Sequence, residues 1–585
     1  LKPAPSECRR PPARCHSAAS CQSLPGRRWQ FLLEWGERTV ALAPLHRGTM
    51  PRRGLVAAAA CGALALRASA ELDAIRVDPA TGNYVDSFGR TRLFHGVNVV
   101  YKKPPWFPPS DRFTPTDSLD PDTMEKLREW GFNVVRLGVM WPGVEPRPGA
   151  IDHGYLAAIE NLTRGLAEHG VYTIADLHQD VGSRRFCGEG IPEHYVDALL
   201  TDPGSRLAQA RLFPAPVLSA SDLPLNASGF PDLEDCLKFP FAFYYGSEQV
   251  AALWEELYTP GTELQRGFLR YWGAVAAAFK GAPQILAYEL LNEPTGLCIG
   301  TPFCKGLPDA AYEVFGNRVE AEKLTPLYRA AAQEIRAAGA AQPILYEATV
   351  LPKVAADIFP APPLGEDSQQ GLSYHIYCQP GDGGSPAAGR VCSAAQGLFE
   401  HTYFSFLDKY PQIGGFMTEF GDVGGNKGEL KHLNWLLDAA DRNFQSWAYW
   451  QLKTYQDFTT ANPEESFYDS EGRLNVPKLK ALSRTYAPAI AGTPLRMFFD
   501  HATAAFELEF TASIVGVPTE IYLNEELHYP EGFTAQADPP HCFTMSTPER
   551  NWIHFNLTED SSCINKVAKV NVWAARASGS KTFLI

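Results

Sequence analysis

The chain has 585 residues, of which 45% are apolar, 12% aromatic and 20% charged, a globular balance that excludes a mostly disordered or fibrous protein. Lys and Arg number 52 against 66 Asp and Glu, a formal charge of −14, which argues against nucleic acid as a partner and favours a neutral or cationic ligand. Twelve cysteines point to an oxidising compartment, because disulfides do not persist in a reducing one.

Residues 1–49 are rich in Arg, Pro and Ser and lack a hydrophobic period, so they read as a non-native leader. Met50 then opens a secretory signal over 50–70: basic Arg52 and Arg53, an apolar run over 54–66, and Ala68-Ser69-Ala70 for cleavage. The run is too short to span a bilayer. The expected location is therefore extracellular or the endomembrane lumen. Eight cysteines follow: Cys187, Cys236, Cys298, Cys304, Cys378, Cys392, Cys542 and Cys563. Near-neighbour pairing suggests Cys298–Cys304, Cys378–Cys392 and Cys542–Cys563, leaving Cys187 with Cys236, one of the many connectivities eight cysteines allow. Their spacings do not suit a zinc site. Sequons at Asn161, Asn226 and Asn556 fit a secreted glycoprotein.

A hairpin is expected over 73–90, with turns at Thr81-Gly82-Asn83 and Phe88-Gly89. Thereafter short apolar runs at 93–100, 133–140, 171–177, 285–291, 343–347, 372–377, 415–418 and 446–450 alternate with amphipathic helical stretches at 121–130, 155–169, 263–279, 324–338 and 429–443. Eight strand-then-helix units are what a (β/α)₈ barrel over 71–487 requires; the alternative, a doubly wound open sheet, would usually show an early Gly-rich phosphate turn, which the sequence lacks. The long 180–284 connection carries the aromatic segment 239–245. From 488 to 585 the period becomes two, in runs at 495–499, 505–511, 519–523, 552–556 and 569–574, which predicts an all-β sandwich.

The C-terminal strand ends of such a barrel hold its chemistry. Here they offer Asn98 and Lys102, Arg136, His178 and Asp180, Asn292 and Glu293, Glu347, His375 and Tyr377, Glu419, then Trp450 and Lys453. Glu293 and Glu419 each follow an apolar strand directly. Paired carboxyls across a pocket suit glycosidic cleavage, in which one must be protonated to donate and the other ionised to attack. Glu347 reads as structural.

The Asn292-Glu293-Pro294 and Thr418-Glu419-Phe420 strand ends, in this order, resemble glycoside hydrolase family five. The resemblance implies Glu293 as acid then base, Glu419 as nucleophile, and Asn292 as a ligand of the sugar 2-hydroxyl. It also implies that Arg136 keeps the nucleophile ionised, that His178 and His375 line the cleavage subsite, that Tyr377 donates to Glu419, and that Trp450 forms a sugar platform. His95-Gly-Val-Asn98, Tyr101-Lys-Lys-Pro-Pro-Trp106, Asp176-Leu-His-Gln-Asp180 and the segment from Arg185 to Pro192 are similar to endoglycoceramidases and related glucosylceramide and steryl-glucoside hydrolases. In that subgroup Asp180 and either Lys102 or Lys103 are expected on the sugar.

The expected function is a retaining β-glycosidase that frees a sugar from a lipid, foremost ceramide, without a cofactor, a metal or an obligate protein partner. Its glycolipid substrate would be met at a membrane surface. Alternatives are a steryl glucosidase or glucosylceramidase, a polysaccharide endoglucanase, and a catalytically silent sugar- or lipid-binding protein. Trp106 and the 239–245 aromatics are candidates to contact lipid, although packing of the insertion explains them equally.

Overall fold

The structure is a computed structural model that describes residues 72–210, 223–239, 241–297, 315–350, 353, 357–377, 397–398, 401–455, 457–459 and 462–575. The leader, the signal segment and Cys298, Cys304, Cys378 and Cys392 lie outside the described residues.

Eight parallel strands close a barrel: β1 (His95–Val99), β2 (Val134–Gly138), β3 (Tyr172–Asp176), β4 (Ile285–Glu289), β5 (Ile344–Glu347), β6 (Gln370–Ile376), β7 (Gly414–Phe420) and β8 (Ser446–Tyr449), with β8 pairing back to β1. Every strand residue except Gly415 is buried. That is why the strands read as unbroken apolar runs: helices cover one face and the packed lumen the other.

The covering helices include α1 (Pro121–Glu129), α2 (His153–Glu168), α3 (Glu263–Phe279), α4 (Thr325–Ala337) and α5 (Lys427–Arg442). Asp120 caps α1 by accepting from the Thr123 N–H, with proline at the first helical position, where its missing N–H costs nothing. At α5 the Asn426 side chain and Glu429 form a reciprocal capping box. α3 buries Leu264, Phe268, Tyr271, Trp272, Val275 and Phe279, one helical stripe turned to the barrel.

The N-terminal hairpin has two roles. Ile75, Val77 and Tyr84 pack with Phe94, Val134, Tyr172, Leu286, Leu345 and Phe416 in an apolar plug beneath the barrel. Its short strands Arg76–Val77, Tyr84–Val85 and Thr91–Arg92 also join Tyr486–Ile490, Thr519–Tyr522, Trp552–Leu557 and Phe543–Ser546 in one seven-stranded sheet. A four-stranded antiparallel sheet of Gly492–Asp500, Ala505–Ala512, Lys566–Ala574 and Phe533–Asp538 completes the C-terminal domain. Along Ala505–Ala512 alternate residues are buried, as the period of two predicts. The expected boundary at 487/488 thus falls within the Tyr486–Ile490 strand, which pairs with Thr91–Arg92.

The C-terminal domain is bolted to the turn after α1. Ser483 donates to the Trp130 carbonyl at 2.7 Å, Tyr486 to Gly131 at 2.9 Å and Tyr522 to Glu129 at 2.8 Å. Gly131 sits at φ 83°, and a Cβ there would come within 2.2 Å of the Tyr522 ring, so both conformation and contact require glycine. Disulfides join Cys187 to Cys236 and Cys542 to Cys563, two of the four expected pairs. No helix among the described residues is long and apolar enough to cross a membrane.

Candidate active site

The barrel positions its polar residues through two buried cations. The first is Arg136, in β2. Its Nε donates to Glu289 at 2.5 Å, Nη1 to Asn98 at 3.0 Å and to Glu419 Oε1 at 2.5 Å, and Nη2 to Asn292 at 2.8 Å, with Asp176 at 3.1 Å. One planar guanidinium therefore ties together side chains from β1, β3, β4 and β7, a task suited to its fixed fork of donors. Asn98 continues the net by donating to the carbonyls of Thr418 and Ala448.

The second is Lys102, which donates to Asp180 and, at 3.0 Å, to Thr459, with Asp457 at 3.3 Å and Glu189 at 3.6 Å. Lys102 is buried in this cluster and Lys103 is exposed. Against the burial that would raise it, Lys102 and His178 hold the Asp180 carboxyl well below the usual carboxylate range. His178 binds Asp176 through Nδ1 at 2.9 Å and lies 3.5 Å from Asp180 through Nε2. Despite burial, those two carboxylates push its pKa up to about 10.

Glu293 and Glu419 face each other across this floor. A carboxylate oxygen of each and a ring nitrogen of His375 lie within 4.8 Å of one another, so the two carboxyls can act on one bond. His375 Nδ1 is 2.9 Å from Glu293 Oε1 and 3.5 Å from Glu419 Oε2. Tyr377 donates to Glu419 Oε2 at 2.8 Å. Burial and the Asp180 charge raise Glu293 to about 7. Burial also raises Glu419, with His375 and Arg136 pulling the other way. The Arg136 guanidinium, expected to keep Glu419 ionised, acts in that direction against the effect of burial.

Trp450 stacks on His178 at 5.2 Å between centroids, and its Nε1 donates to Glu465 at 2.9 Å. Glu347 accepts the Glu293 N–H at 2.8 Å, so it belongs to the site. Lys453 does not: it binds Ser118 and Thr123 at the start of α1. Trp106 is buried and Phe243 is 54% exposed, so of those two only Phe243 is free to meet a lipid.

Sequence reasoning missed several members of this constellation. Asp176 and Glu289 are the last residues of β3 and β4, hidden inside apolar runs. Gln179, whose side chain grips the carbonyls of Asn292 at 2.7 Å and Glu293 at 3.1 Å, stood in plain view between His178 and Asp180. Glu189 is held beside Lys102 by a bridge in which Asp180 and Glu189 exchange backbone hydrogen bonds.

A family model described as cellulase (glycosyl hydrolase family 5) matches residues 86–456, and one described as glycoside hydrolase family 5 C-terminal domain matches 484–572. The endoglycoceramidase of Cyanea nozakii is 31% identical over 492 residues, covering 82% of this chain and 90% of that protein. That of Hydra vulgaris is 31% identical over 485 residues, covering 82% and 86%. Among solved structures, endo-glycoceramidase II from Rhodococcus sp. in a ganglioside GM3 complex matches with a TM-score of 0.63 at 20% identity, covering 84% of this chain and 99% of that one. The same enzyme is known as a lactosyl-enzyme intermediate, with a TM-score of 0.62 to this chain.

Proposed function

The chain belongs to glycoside hydrolase family 5, and from that membership we propose that it is a retaining enzyme cleaving the bond between a β-linked sugar and ceramide. The observation that carries the reading is the juxtaposition of Glu293, His375 and Glu419, one side-chain atom of each within 4.8 Å of the others, which supports two carboxyls working on a single glycosidic bond.

In this reading Glu419 attacks the anomeric carbon as Glu293 gives its proton to the departing ceramide oxygen. The glycosyl ester is then hydrolysed by a water that returns a proton to Glu293. Each carboxyl has an environment suited to its part. Arg136 and Tyr377 donate to opposite oxygens of Glu419, which stabilises its anion. Glu293 is buried beside the anionic Asp180, which favours its protonated form up to about pH 7. Asn292, His178, Asp180, Lys102 and Trp450 would line the sugar.

The lipid assignment draws on the endoglycoceramidase relatives and on an apolar fringe. The connection between β3 and β4 exposes Leu225, Leu233, Leu237 and Phe243, side chains whose burial against acyl chains would contribute about 25 cal/mol per Å². The signal pattern at 50–70 and the disulfides Cys187–Cys236 and Cys542–Cys563 support an extracellular or luminal location.

Product analysis on a mixed glycolipid panel tests the proposal. Intact oligosaccharide plus ceramide is expected, with the β-anomer formed first. Glucose alone would move the enzyme to the glucosylceramidase or steryl glucosidase reading, and cleavage of cellulosic polymer with glycolipid untouched would overturn the lipid assignment.

A further inference from the structure

Glu293 occupies backbone space that side-chain-bearing residues avoid, with φ 41°, a strained conformation that persists only where surrounding contacts hold it. Those contacts come from both sides. Gln179 donates to the carbonyls of Asn292 and Glu293 from the β3 side. From the β5 side, Glu347 Oε2 accepts the Glu293 N–H at 2.8 Å. The next residue is Pro294, which has no N–H, so Glu347 meets the one donor at the bend itself.

Glu347 also reaches the other end of Glu293. Its Oε1 lies 3.5 Å from His375 Nδ1, the same nitrogen that sits 2.9 Å from Glu293 Oε1. One buried carboxyl thus touches both the backbone from which Glu293 springs and the ring that fixes its tip. Glu347 is itself fixed, since its carbonyl accepts from Tyr328 at 2.7 Å. A merely structural glutamate would need only one of these contacts.

We propose that Glu347 is a positioning residue for the proton-transfer step, holding Glu293 in its left-handed bend so that its carboxyl faces the departing oxygen. The inference rests on Glu293 being the acid and predicts a particular signature. General acid catalysis is worth about 10²–10⁴-fold when the leaving group is a poor one, and close to nothing when it departs as a stable anion. Loss of positioning should therefore follow the leaving group.

The test compares kcat/KM on a glycosylceramide and on the matching 2,4-dinitrophenyl glycoside, a ratio that cancels the fraction of folded enzyme. For Glu347→Ala we expect a fall of about 10²-fold on the lipid and less than about 5-fold on the aryl glycoside. Glu347→Gln, which keeps an acceptor oxygen in place, should restore the lipid rate to within about 5-fold of wild type. Glu347→Asp, too short to reach the Glu293 N–H, should show the same leaving-group selectivity as alanine and serves if alanine prevents folding. Equal losses on both substrates, or a glutamine variant as impaired as alanine, would overturn the inference. Glu293→Ala, measured alongside, separates the two readings: if it shows no leaving-group selectivity, the assignment of the acid fails, and if it alone does, only the role of Glu347 fails.

Discussion

The two ends of the barrel are built from the same eight strands and share almost nothing else. Beneath it, Ile75, Val77 and Tyr84 close against Phe94, Tyr172 and Phe416 with ordinary apolar contacts and edge-on aromatic pairs. At the opposite end Arg136 and Lys102 are buried among Asp176, Asp180, Glu189, Glu289, Glu419 and Asp457. Burying ions costs free energy that pairing only partly offsets, and well-packed apolar side chains would be as stable or more so. The lower end therefore contributes stability, and the upper end places charge where a reaction can use it. Separating these tasks along the barrel axis allows the site to be strained and polar without unfolding the protein.

The sharpest test of this division is Glu419→Gln. Removal of the proposed nucleophile should cut turnover by about 10⁴-fold or more while the thermal midpoint holds or rises. A large drop in melting temperature would mean that the upper end is part of the scaffold. The reciprocal change, Phe94→Ala in the plug, should cost about 3–5 kcal/mol in denaturant unfolding, with kcat/KM of the folded enzyme little altered. A subtler probe is Lys102→Met. Loss of a charge-assisted hydrogen bond to Asp180 should lower kcat/KM by about 10²-fold, and an unchanged rate would remove the Lys102 cluster from the site. The smallest expected effect concerns pH. With Glu293 raised to about 7 by burial and the Asp180 charge, activity should fall as pH rises through that value. Neutralisation by Asp180→Asn removes a charge that favours the protonated acid, so the alkaline limb should move to lower pH. Movement in the other direction would contradict the assignment of Glu293.

Much of this was legible beforehand, for definable reasons. Strands buried on both faces must be apolar throughout, so β1 to β8 announced themselves. Glu293 and Glu419 stood out because each interrupts such a run at its functional end. Asp176 and Glu289 did so less visibly, since a carboxylate that ends a strand and pairs with Arg136 looks no different in sequence from the start of a loop. The strand Phe533–Asp538 escaped because its inward positions include Ala535 and Ala537, too small to mark a period of two. The roles of the hairpin were hidden for another reason: its partners in the C-terminal sheet lie about four hundred residues away, at Ala489 and Ile490, and no local pattern encodes so distant a pairing.

That pairing bears on how the chain is made. Thr91–Arg92 leaves the ribosome early, yet its neighbour Tyr486–Ile490 arrives only after the whole barrel has been synthesised, and contacts of such separation form late. During elongation the hairpin can seal the barrel floor but must keep an unpaired edge. A chain truncated after the last barrel strand would retain that edge permanently, so expressing the barrel by itself should yield self-associating material rather than a smaller enzyme.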